Sequence, residues 1–80
     1  MGERLLDRIV LDPNVMRGKP VIRGTRVPVE LLVRMVAQGI ADAEILREYP
    51  RLQPEDICAA LTYAAELVAG EDVFPLTVSR

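Results

Sequence analysis

The chain has 80 residues, one cysteine, no histidine and no tryptophan, with ten cations, twelve anions and a net charge of −2. One small domain is expected, and so short a chain buries little surface by itself. An intrachain disulfide is impossible, a Cys/His zinc site is excluded, and no Ser/His or Cys/His nucleophile pair can form. No cofactor, metal or catalytic residue is expected, and the chain reads as a non-enzyme.

The remaining remedy for a small core is a partner subunit, so a homodimer or a tight hetero-complex is anticipated. The start, MGERLLDRIVL, carries charges throughout and lacks the apolar core of a signal peptide. No run approaches the roughly 20 apolar residues of a membrane span. With a single cysteine, these features predict a cytoplasmic protein without membrane contact. Charge is unevenly divided. Residues 1–34 carry seven cations and four anions, and residues 35–80 carry three cations and eight anions. Such asymmetry points to an electrostatic partner for at least one half, or to two solvated faces.

In chain order, residues 1–8 read as a flexible or lightly helical lead. Ile9-Val10-Leu11 predicts a short strand, Asp12-Pro13-Asn14 a turn, and Val21-Ile22 a second strand, together an antiparallel ribbon. Between and beyond these runs, DPNVMRGKPVIRGTRVPV sets Gly18, Gly24, Pro13, Pro20 and Pro28 among Arg17, Lys19, Arg23 and Arg26. That Gly/Pro density excludes a helix. A first helix is expected from about Val29, with Pro28 in its first turn, an apolar stripe of Leu31, Leu32, Met35 and Val36, and Gly39 as a left-handed cap. A second runs from about Asp42 to Tyr49 and stops at Pro50. A third starts near Pro54, stapled by Leu52 and Ile57, with Ile57, Leu61, Ala64, Leu67 and Val68 as its inner stripe and Gly70 at its end. The tail, residues 71–80, reads as extended.

The predicted class is mainly α, with an N-terminal β-ribbon, three helices and an extended tail. The tight turn between the last two helices suggests a helix-turn-helix, and a plain three-helix bundle is the alternative. Domain bounds are 1–8 for the lead, 9–70 for the domain and 71–80 for the tail. Cys58, beside Ala59 and Ala60, is expected to be buried. The basic residues Arg17, Lys19, Arg23 and Arg26 are candidates for phosphate contact. The alternative is that they brace the fold, against Glu30 or the acidic third helix. On the third helix Gln53, Glu55, Asp56, Thr62 and Tyr63 are read as outward, with Thr62 a further DNA-binding candidate. The two carboxylates there would repel phosphates, so the ribbon arginines would supply most of any DNA contact.

The strings DPNVMRGKPVIRGTRVPVELLVRMVAQG and AEILREYPRLQPEDICAALTYAAEL closely resemble the family known as domain of unknown function 433, over roughly residues 9–70. Gly18, Lys19, Pro20, Gly24, Thr25, Arg26 and Pro28 match one signature, and Tyr49, Pro50, Glu55, Asp56 and Ile57 a second. The resemblance implies a homeodomain-like helix-turn-helix. It also implies a VapB-type antitoxin role beside a PIN-like nuclease toxin, with the protein's own operator as a second partner. In that scheme Val73, Phe74 and Leu76 of the tail are candidate anchors on the toxin, and the alternative is that the tail completes the dimer. A protein-interaction or dimerisation module without DNA binding is the second functional expectation. Ala41 and Gln53 stand where the family usually has a capping Ser or Thr.

Overall fold

The structure, a computed structural model, describes residues 4–70. A turn of 3-10 helix, Leu5–Arg8, leads into strand β1, Ile9–Leu11. A loop containing a second short 3-10 segment, Met16–Gly18, returns the chain to strand β2, Pro20–Ile22. The two strands pair antiparallel, Ile9 opposite Ile22 and Leu11 opposite Pro20. Helices α1 (Val29–Ala37), α2 (Asp42–Glu48) and α3 (Pro54–Ala69) follow. The described residues are thus mainly helical with a small N-terminal ribbon, as the apolar periodicities require.

A two-stranded ribbon is marginal in water, and here it is held by packing. Ile22 is buried with Val29, Leu32, Ile45, Leu52, Ile57 and Ala60 in one cluster fed by β2 and all three helices. The 3-10 turn packs along α3, as does α1. α3 is therefore the central element, with the N-terminal turn on one side and α1 on another. At about 24 Å it is also the longest, against about 14 Å for α1.

Each helix end has a local cause. Pro28 is the N-cap of α1, one position earlier than the first-turn placement expected, and forms an isolated bridge with Val21. Gly39 has φ +85°, the left-handed conformation that lets the chain leave α1 after Gln38. Ala41 caps α2 without a side-chain hydrogen bond. At α3, Pro54 occupies the first turn, and Asp56 Oδ2 accepts the Gln53 backbone N–H at 2.8 Å. Leu52 and Ile57 are both buried at the positions of a hydrophobic staple. Gly70 ends α3 at φ −82°, so it is not a left-handed cap.

Several side chains sit otherwise than the sequence predicts, and Tyr63, expected outward on α3, is half-buried against the core cluster. Asp56, taken as outward, is 5% exposed, because Arg8 reaches across from the N-terminal turn to neutralise it. Cys58, taken as buried, is exposed, since the buried face of α3 runs through Ala59 and Ala60 instead. Leu61, Leu67 and Val68, taken as an inner stripe, are 38%, 51% and 65% exposed. The core ends before the last turns of α3, so periodicity there has nothing within the described chain to pack on. No helix among the described residues is long and apolar enough to cross a membrane.

Candidate nucleic-acid interface

The Arg23–Pro28 segment is a built turn. Gly24 sits at φ +78°, a conformation that costs a residue with a side chain. The Thr25 hydroxyl donates to the Ile22 carbonyl at 2.7 Å and accepts the Val27 N–H at 3.0 Å. The Arg23 N–H donates to the Arg8 carbonyl, and the Ile22 N–H to the Val27 carbonyl. Gly-Thr is therefore a hinge and a pin, and the flanking residues, Arg23 and Arg26, are left exposed.

The turn between α2 and α3 comes to meet it. Arg51 Nη1 donates to the Gly24 carbonyl at 3.0 Å. Arg26 and Arg51 line one shallow hollow of about 340 Å³ with Thr25, Val27, Tyr49 and Pro50, and Glu48 is the acid at its rim. Arg26 and Arg51 thus share one edge beside the N-terminal end of α3, and Arg23, exposed, directly precedes the Gly24 that Arg51 holds. Asp56, whose charge could disturb that edge, is engaged inward, and the exposed Gln53 shares its cation. Asp56 Oδ1 accepts from Arg8 Nη1 at 2.9 Å, and Gln53 Oε1 accepts from the same nitrogen at 3.3 Å. Glu55 stays exposed at the front of α3.

The other candidates fall elsewhere. Arg17 and Lys19 lie on the β1–β2 loop, at the opposite end of the ribbon from Arg23 and Arg26. About 10 Å of strand separates the two ends. Arg17 adopts φ +58° before Gly18 at +82°, and its side chain is exposed. Lys19 Nζ is 3.4 Å from Glu30 Oε1, and Glu30 Oε2 also takes a hydrogen bond from Arg34. The hydrogen bond from Arg34, then the charge of Lys19, holds the Glu30 carboxyl below the usual carboxylate range. Of the four basic-loop residues, then, Arg23 and Arg26 share the built edge and Lys19 braces Glu30. Thr62 is half-buried at mid-length of α3, more than two helical turns beyond Pro54. Val73, Phe74 and Leu76 lie outside the described residues. Arg51 and Arg8 escaped the sequence reading, because their contacts span 27 and 48 residues and leave no local pattern.

Residues 9–64 match the family described as Protein of unknown function (DUF433). The chain belongs to the DUF433 family. A solved relative is a DUF433 member from Anabaena variabilis, whose crystal structure superposes with a TM-score of 0.72 at 40% identity, covering 78% of this chain and 61% of that one. An uncharacterized protein of Sinorhizobium fredii, y4eO, is 39% identical over 56 residues, which is 70% of this chain and 25% of that protein. An uncharacterized protein of Archaeoglobus fulgidus is 57% identical over 30 residues, 38% of this chain and 83% of that one. This DUF433 chain therefore spans a quarter of the Sinorhizobium protein and about three-fifths of the Anabaena chain. Gly24, Thr25 and Pro28, all within the matched stretch, form the turn that presents Arg23 and Arg26.

Proposed function

We propose that this DUF433 chain is an antitoxin-like DNA-binding protein, in which α2, the 49–53 turn and α3 act as a homeodomain-like helix-turn-helix. Arg23, Arg26 and Arg51 take phosphates along one strand of the operator and fix the register of α3 on the duplex. The observation that carries this reading is the Arg51–Gly24 hydrogen bond, which joins the inter-helix turn to the arginine turn in one basic edge. Burial of Asp56 supports it, since only Glu55 of the two front carboxylates is left to oppose phosphate. The protein partner in this scheme is a PIN-like nuclease toxin, taken by the tail through Val73, Phe74 and Leu76.

Fluorescence anisotropy on the chain's own upstream DNA and on random duplex, across a salt series, tests the reading. Operator binding should exceed random binding by roughly 10³-fold or more. Arg23→Ala with Arg26→Ala should weaken both by a similar factor, because phosphate contacts carry no sequence information. Equal affinity for both duplexes, or none at low salt with and without the co-purified toxin, would refute it.

A second reading, an interaction module without DNA binding, is favoured by one observation: Lys19 and Arg34 are committed to Glu30 beside an apolar groove. Under that reading the same double substitution disturbs folding or association and leaves no nucleic-acid effect to measure.

A further inference from the structure

Between α1 and the second half of α3 runs an open apolar groove of about 360 Å³. Its floor and walls come from Val29, Val33 and Ala37 of α1 and from Tyr63, Ala64 and Leu67 of α3. The α1 residues recur every four positions and so form one straight ridge. Leu67 continues the buried face of Ala60 and Tyr63 along α3, yet half of it is exposed, and Val68 beside it is more exposed still. Glu30 and Arg34 stand on the groove's rim, four residues apart on α1 and hydrogen-bonded to each other.

We propose that a second copy of this chain fills the groove, giving an isologous dimer with α1 antiparallel to the partner's α1. The rim selects this occupant. An anion and a cation spaced along a helix are self-complementary under a two-fold axis that crosses the helix between them. That axis sets Glu30 opposite Arg34 of the partner subunit, and Arg34 opposite Glu30 of the partner subunit. Two dyads become a quartet of alternating charge, each Glu30 also keeping Lys19 of its own subunit, while the ridges and Leu67 close over each other beneath it. The need for an occupant follows from exposure: Leu67, a wall of the groove, is left 51% exposed among apolar neighbours. This inference stands apart from DNA binding, since the groove shares no residue with the Arg23–Arg26–Arg51 edge.

Sedimentation velocity of the full chain, from about 1 to about 100 µM, tests it. A dimer is expected. Leu67→Asp should raise its dissociation constant at least roughly tenfold with an unchanged far-ultraviolet spectrum. Glu30→Arg alone and Arg34→Glu alone each set like charges across the axis and should weaken association by roughly tenfold. An equimolar mixture of those two variants should recover dimer, because each supplies the sign the other lacks. Neither variant regains its own intrahelical pair, so recovery reports the contact between subunits. If Leu67→Asp fails to fold, the mixing experiment at exposed positions still decides. A monomer throughout the range, or a mixture no better than its components, would overturn the proposal. In a monomer, nuclear Overhauser contacts from Val73, Phe74 or Leu76 to Val33 would assign the groove to the chain's own tail.

Discussion

Asp56 carries two duties at once. One oxygen accepts from Arg8 and the other holds the Gln53 N–H at the start of α3. Removing the carboxylate leaves a largely buried guanidinium without that partner and an uncapped amide, so Asp56→Ala is predicted to cost about 2–4 kcal/mol in urea unfolding. A loss below about 0.5 kcal/mol would show that the pair is a surface ornament. Glu30 belongs to a different regime, since it is exposed and acts through Arg34 and Lys19. Its folded-state carboxyl titrates below the unfolded value, so its contribution is present above the unfolded pKa and is lost as pH falls through the folded one. Carboxyl-carbon NMR should place its midpoint below the usual carboxylate range, and Arg34→Gln should raise it. An unmoved midpoint would deny the pairing.

At the scale of elements, the helices differ in how their ends are made. α3 has a proline start, an acidic bond to its cap and a buried staple, whereas α2 begins at Ala41 with no side-chain acceptor. Ala41 already has the extended backbone of an N-cap, φ −67° and ψ 147°, and its side chain is exposed. Ala41→Ser should therefore stabilise by about 1 kcal/mol, read as a rise of roughly 4–8 °C in melting temperature. A fall would mean that α2 starts elsewhere. The ribbon shows the converse: three residue pairs hold because Ile22 enters the helical core and the Arg23 N–H extends the ladder to Arg8.

Across the whole molecule, what could be read from sequence follows contact range. Helix positions, the ribbon, Gly39 and the Leu52–Ile57 staple rest on neighbours within a few residues, and those were legible. Asp56 was misplaced because its partner, Arg8, lies 48 residues away in a stretch that resembled a lead. Leu67 and Val68 were misplaced because a helical period states which residues share a face and not where the core stops. The basic loop appeared as one cluster, yet a ribbon separates its two ends, and only folding brings Arg51 to the end with Arg23 and Arg26.

That division is the claim to test. The salt dependence of DNA affinity should be measured for the unaltered chain, Arg51→Ala and Arg17→Ala on the same upstream duplex. If the Arg23–Arg26–Arg51 edge carries the contact, Arg51→Ala lowers the magnitude of the slope by about 1 for each edge seated on the duplex, and Arg17→Ala leaves it unchanged. A slope that falls for Arg17→Ala and holds for Arg51→Ala would contradict the account.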